Sequence, residues 1–327
     1  MNHSKHSLLF LILCSSLIGQ FKESNSREGL GLKVSTYHSV NKEIKFGGFT
    51  HIAFGPGGSE IITACTTHRF LYRNSPKESF SVSPLSVKRH HSVVYNPRDK
   101  LFYANDTDHH RIIAFSDPSK NEITAETKEI WGIKLQRPHD IVIDPETGWI
   151  YALNPNSGHI FRFTAIGENE SVIKAPTQGY ARALTFANGK LYAIGSSKGR
   201  IVEVMDWEKP TFKVYDSFDP TGRQGAAGSW EKTGLILNDA EFFNGHWYAT
   251  SYFTQAYAKG TDFNENKFIR FKNLDDLVSG EWTDLSSLVP SGLTPYFMTV
   301  NNNKLYLATF NHESTGKGDS ILEFSID

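Results

Sequence analysis

The sequence predicts an all-β fold, a six-bladed β-propeller. Three observations carry that expectation. A unit of two apolar runs around a tight turn returns six times; the copies start 41, 48, 43, 56 and 58 positions apart; and long helical periodicity is almost absent while aromatic residues make up 13% of the chain. A four-stranded propeller blade needs roughly 40 to 50 residues, which matches the spacing.

The units follow one another in order. The first is THIAFGPGGSEIITA from Thr50, turning at Gly-Pro-Gly-Gly, and the second is HSVVYNPRDKLFYAN from His91, turning at Asn-Pro. HDIVIDPETGWIYAL from His139 turns at Asp-Pro, and RALTFANGKLYAIG from Arg182 turns at Asn-Gly. NDAEFFNGHWYATS from Asn238 and YFMTVNNNKLYLAT from Tyr296 turn at Asn-Gly and Asn-Asn. These dipeptides tolerate the positive φ angles that two-residue hairpins demand. A third strand follows in most units, such as HRIIAFS at 110–116, HIFRFTA at 159–165, RIVEVMD at 200–206 and KFIRFKN at 267–273.

A single meander would leave an apolar face bare, whereas six arranged radially cover one another and remove most of the free sheet edge. The last unit ends at SILEFSID, so its fourth strand is expected from GLKVSTYHS at 31–39, which would pair the N-terminal segment with the last blade. A stacked solenoid also accommodates a repeat, but neither end carries a polar capping unit. LDDLVSG and WTDLSSLV are expected to form a helical turn between blades 5 and 6.

Residues 1–22 read as a secretory signal peptide, with Lys5 and two histidines ahead of LLFLIL, and residues 23–327 as one propeller domain. The protein is therefore expected to be secreted or periplasmic. Cys14 offers a lipoprotein alternative at the cell envelope, although Leu13 is not the small residue usual before a lipid-bearing cysteine. A membrane partner is expected only in that case. With Cys65 the sole other cysteine, the mature chain would have no internal disulfide. The net charge of −1 excludes a strong electrostatic case for nucleic acid. Asn105-Asp-Thr and Asn169-Glu-Ser are glycan sequons if the source modifies exported proteins. The six tryptophans are expected in inter-blade packing.

Radial closure would bring equivalent residues of different units to one opening. The leading positions hold Thr50, His91, His139, Arg182, Asn238 and Tyr296; the next positions hold His51, Ser92, Asp140, Ala183, Asp239 and Phe297. A purely structural position would tend to repeat one small or apolar residue, so this chemical variety points to a ligand. His91, His139, Arg182 and Tyr296 are the expected catalytic residues. Asn238, Asp239, Asn154 and Tyr252 are the expected substrate contacts, with the loop at 252–266 as a wall or lid. His91, His139 and Asp140 could hold a divalent metal, zinc or calcium. Without a metal, a histidine could remove a proton alpha to a carboxylate that Arg182 holds while Tyr296 protonates the leaving oxygen.

The units RPHDIVIDPETGWIYALNPNSGHIFRF and HHSVVYNPRDKLFYANDTDHHRIIAF resemble six-bladed propellers of the NHL-repeat, regucalcin–gluconolactonase and peptidyl-hydroxyglycine amidating lyase type. In the amidating lyases, histidines in His-Ser-Leu and His-Asp-Val contexts bind zinc. The resemblance carries that role to His91 in His-Ser-Val and His139 in His-Asp-Ile, with no counterpart of the third histidine. The regucalcin group holds its metal with Glu, Asn and Asp, to which only Asn238 and Asp239 correspond. The implied protein is an exported lyase or hydrolase acting on a small anionic or uronate-type sugar substrate. The other reading is a propeller that binds a peptide or glycan without chemistry.

Overall fold

In the computed structural model, the described residues are 25–26, 31–39, 47–220, 234–251, 266–311 and 318–326. They form six four-stranded antiparallel blades, the last extended by a short fifth strand. The inner strands are Phe49–Phe54, Val93–Asn96, Asp140–Ile143, Ala181–Ala187, Leu237–Phe243 and Thr294–Asn301, in blades 1 to 6. Each inner strand touches the inner strands of both neighbouring blades, so the ring closes.

The hairpin chemistry read from the sequence is what shapes each blade. Asn188 and Gly189 have φ of 52° and 73°, Asn244 and Gly245 have 47° and 74°, and Asn302 and Asn303 have 48° and 57°. Two consecutive left-handed residues give the turn whose twist matches the flanking strands. The link from second to third strand is a short turn ending in another left-handed residue: His68, His110, Gly158 and Gly199 in blades 1 to 4.

The closing strand is Leu32–Ser39, antiparallel to Ser320–Ile326, with Val34 opposite Phe324. Leu32 and Val34 are buried and join Leu322 and Phe324 in one apolar cluster. Six such clusters occupy the interfaces between blades. Phe70 and Val93 meet between blades 1 and 2, Tyr103 and Phe161 between 2 and 3, and Leu153 and Leu184 between 3 and 4. Tyr192 and Trp247 meet between 4 and 5, Tyr248 and Leu305 between 5 and 6, and Phe49 and Tyr306 across the closure. Each large side chain buried there contributes about 1.5–3 kcal/mol. The free Cys65 is buried, so among the described residues packing and hydrogen bonds hold the ring.

Two expectations need correction. The helix Leu274–Ser279 lies inside blade 5, between its third strand Lys267–Phe271 and its two-residue outer strand Thr283–Asp284, whereas WTDLSSLV does supply a short helical turn, Ser286–Leu288, between blades 5 and 6. Asn273 and Asp276 cap it reciprocally, which is why this short segment folds as a helix. Trp131 is 62% exposed and takes no part in inter-blade packing. Its φ of 51° places it at the tip of the hairpin of Glu129–Ile130 and Ile133–Lys134. Trp149 and Trp207, by contrast, flank Arg162, whose guanidinium lies 4.5 and 4.7 Å from their rings. Trp230 lies outside the described residues.

Candidate active site

The four expected catalytic residues meet where the inner strands begin. His91 and His139, in neighbouring blades, stack face to face with ring centres 4.0 Å apart and 13° between their planes. The Tyr296 hydroxyl is 3.4 Å from His91 Nδ1, bringing blade 6 to blade 2 across the axis. His139 Nδ1–H donates to the Arg182 carbonyl at 2.8 Å, which leaves Nε2 of the neutral ring with its lone pair. The Arg182 guanidinium lies 5.3 Å from the Tyr180 ring, and its charge acts on both imidazoles. Tyr180 and Phe297 pack edge-on to His139, and Phe310 edge-on to Tyr296, completing an aromatic surround.

Burial pushes both imidazoles toward neutrality. His139 is lowered to about 3, first by burial and then by the Arg182 charge. His91 lies well below its ordinary value through burial, then through His139 and Arg182. His91 is only half-buried, whereas His139 is 2% exposed. The pair therefore divides into a partly exposed imidazole and one that clamps the next blade.

Immediately below, a belt of hydrogen bonds runs round the whole ring. The Val93 N–H reaches His51 Nδ1 at 3.5 Å, and the Ile141 N–H donates to Ser92 Oγ at 2.9 Å. The Leu184 N–H donates to Asp140 Oδ2 at 2.7 Å, and the Thr185 hydroxyl donates to the Ala240 carbonyl. The Met298 N–H donates to Asp239 Oδ2 at 2.6 Å, and the Thr299 hydroxyl donates to the Ile52 carbonyl at 2.7 Å. Each link joins one inner strand to the backbone of the next.

That belt engages one of the three expected metal ligands, Asp140. Asp140 accepts from its own following N–H as well as from Leu184, and the Ser92 hydroxyl also bonds its carboxyl. A ring-nitrogen lone pair lies in the ring plane, so the stacked His91 and His139 direct theirs side by side rather than onto one ion. Among the described residues no group of three or more His, Cys, Asp or Glu is arranged for a metal ion. The residues His91, His139 and Asp140 do not fit zinc or calcium in this arrangement.

The expected substrate contacts separate likewise. Asp239 is 3% exposed, and its oxygens accept from Ala240 and Met298. Asn238 is fully buried, donating to the Pro295 carbonyl at 3.3 Å. Asn154 accepts from the Gln136 N–H and donates to the Lys134 carbonyl, stapling the approach to blade 3. All three side chains hydrogen-bond to the protein's own backbone. Tyr252 and the loop at 252–265 lie outside the described residues. His110 in the Asp-Thr-Asp-His-His turn accepts from the Arg137 N–H, and Asp108 pairs with Arg89 and Arg137, so that turn is also built for structure.

Sequence reasoning passed over Glu241. It lines a cavity at the other end of the channel with His51, Phe186 and Thr299. Its signal was its place two residues after Asp239, on the same side of an inner strand.

No protein-family model matches this chain, and no curated protein matches it either. Solved structures do. Virginiamycin B lyase from Staphylococcus aureus, in a catalytically inactive His-to-Ala form with quinupristin, has a TM-score of 0.59 and 13% identity over 90% of this chain and 100% of that one. A candidate oxidoreductase (glucose dehydrogenase) from a Thermus species has a TM-score of 0.54 and 16% identity, covering 90% and 99%. A candidate 6-phosphogluconolactonase from Bacteroides uniformis has a TM-score of 0.52 and 15% identity, covering 83% of each. What they share with this chain is the propeller fold.

Proposed function

We propose that the protein is an exported lyase that acts without a metal on a small anionic or uronate-type sugar substrate. The clustering of His91, Arg182 and Tyr296 at the leading ends of the inner strands carries this reading. The substrate carboxylate would bind the Arg182 guanidinium by charge-assisted hydrogen bonds. His91 then removes the proton alpha to that carboxylate, the β carbon–oxygen bond breaks as the carbon–carbon double bond forms, and Tyr296 protonates the departing oxygen.

The low basicity of His91 in the free protein fits substrate-assisted chemistry. An anion against Arg182 offsets one of the positive charges that depress the imidazole, so the base strengthens when the proper substrate is bound. His139 acts as a positioning residue, held to blade 4 and stacked on the base. The inactive His-to-Ala lyase among the structural neighbours supports histidine-dependent lyase chemistry on this fold.

The test is turnover of polyuronates and other carboxylate-bearing sugars, followed by the ultraviolet absorbance of the unsaturated product. His91→Ala should lower turnover by about 10²–10⁴-fold while the melting temperature holds. Arg182→Ala should abolish the preference for carboxylate-bearing substrates. Full activity in His91→Ala, or its loss on chelation, would sink the metal-free base. The aromatic surround of Tyr180, Phe297 and Phe310 favours a second reading, recognition of a glycan or peptide. Saturable binding without product in any screen would support that reading instead.

A further inference from the structure

We propose that the opposite end of the channel is a second binding site, for a small organic cation: a protonated amine carried on an apolar body. The cavity there measures about 290 Å³, at the small end of the range for ligand pockets. All six inner-strand regions contribute to it, through residues near their trailing ends such as Phe54, Tyr95, Ile143, Phe186 and Val300. It is thus separated from the histidine opening by the hydrogen-bonded belt, and the proposal is independent of the lyase reading.

Its walls are mostly aliphatic and aromatic, and the few polar side chains have definite roles. His51 accepts from Val93 at Nδ1, so Nε2 carries its proton and donates to Thr299 Oγ1 at 2.9 Å. Burial lowers His51 to about 4, so it is a neutral wall residue near neutral pH. Thr299 passes its own proton to the Ile52 carbonyl. Glu241 differs, because the charges acting on it are those of Asp239 and Asp140, both of its own sign. Among the described residues that line the cavity, none is Lys or Arg.

A carboxyl facing an apolar space with like-charged neighbours is complemented by a cation whose remaining surface is apolar. A metal ion would forgo the aliphatic walls, and an anion would meet the Glu241 carboxyl. An alkyl- or arylammonium uses both features at once.

Proton linkage gives this site a distinctive signature. Burial, then Asp239 and Asp140, raise Glu241 well above the ordinary carboxylate range, which favours its protonated form in the free protein. Binding an ammonium ion ionises it and releases a proton, so affinity rises with pH until the free carboxyl would ionise unaided. The other titratable groups around it are His51 from blade 1, Tyr95 from blade 2, Asp140 from blade 3 and Asp239 on its own strand; the lining residues of blades 4 and 6 bring none.

The experiment is calorimetric titration of phenethylamine into the full chain, in two buffers of different ionisation enthalpy, beside the isosteric phenethyl alcohol and phenylpropionate. The amine should bind saturably and release a proton, and the alcohol and carboxylate should bind at least about tenfold more weakly. Glu241→Gln should cost the amine a similar factor and remove the proton release, whereas His91→Ala should leave amine affinity unchanged. Equal binding of amine and alcohol, or no saturable amine binding, overturns the proposal in the wild-type protein alone, whatever the folding of Glu241→Gln. Unchanged affinity in a folded Glu241→Gln variant overturns it as well.

Discussion

His91 and His139 look equivalent in the sequence, each followed by a small polar residue and an apolar run. Their surroundings make them different groups. His139 is spent on the Arg182 carbonyl, while His91 remains partly exposed beside Tyr296. Asn105 shows the same dependence on context. Its sequon reads as a glycan acceptor, yet the residue is fully buried, accepting from the N–H groups of His91 and Ser92 and donating to the Pro138 carbonyl. A glycan on that amide is incompatible with the folded ring, whereas Asn169 is exposed.

Asp140 offers a test at this scale. Burial raises it to about 7 from 3.8, so between those values the folded protein keeps a proton that the unfolded chain has lost. Stability from this residue is complete below the lower value and falls as pH rises toward the upper, by at most about 4 kcal/mol. The histidines oppose it: His51 and His139, lowered to about 4 and about 3, cost stability as pH falls below 6.5. Asp140→Asn should therefore flatten the decline in melting temperature above about pH 4 while the loss on acidification persists. A variant whose pH profile keeps the wild-type slope would show that Asp140 is ionised in the folded state.

Among the elements, the inner strands hold the clearest lesson about legibility. Strand order, hairpin turns and the closing strand could be read because they follow from apolar periodicity and backbone angles, which are local properties. The role of the second inner-strand position could not. His51, Ser92, Asp140 and Asp239 differ in chemistry, which suggested a ligand site, yet all four accept a backbone N–H from the neighbouring blade. An imidazole, a hydroxyl and a carboxylate serve alike wherever an acceptor reaches the next strand. Blades 4 and 6 reach instead with Thr185 and Thr299 to a carbonyl, two residues further along. Thr299→Val removes the bond to Ile52 and the partner of His51 Nε2, and should destabilise the protein by about 1–3 kcal/mol in chemical denaturation. A change below a few tenths would show that water replaces the link without cost.

At the scale of the whole molecule, closure joins parts of the chain almost 300 residues apart, through pairs such as Val34 with Phe324 and Ser39 with Ser320. Removing residues 1–39 should leave Ser320–Ile326 with a bare edge and uncover Phe324, giving a chain that aggregates or melts at a much lower temperature. Loss limited to residues 1–24 should leave the melting temperature unaltered. A chain starting at residue 40 that melts normally would show that the ring does not need its final strand. The ring also presents two chemically distinct regions on opposite sides of one belt, the cluster of His91, His139, Arg182 and Tyr296 and an apolar carboxyl-bearing cavity.

The pairing of Leu32–Ser39 with Ser320–Ile326 also sets an order on biosynthesis. The partner of that early segment leaves the ribosome only after five blades and most of the sixth, so the strand waits through nearly all of translation with its hydrogen-bonding groups unclaimed. Completion of the ring therefore waits until Ser320–Ile326 has been made. A chain stalled before residue 320 would stay open, and quality control has a natural mark for incomplete molecules in the unmatched strand.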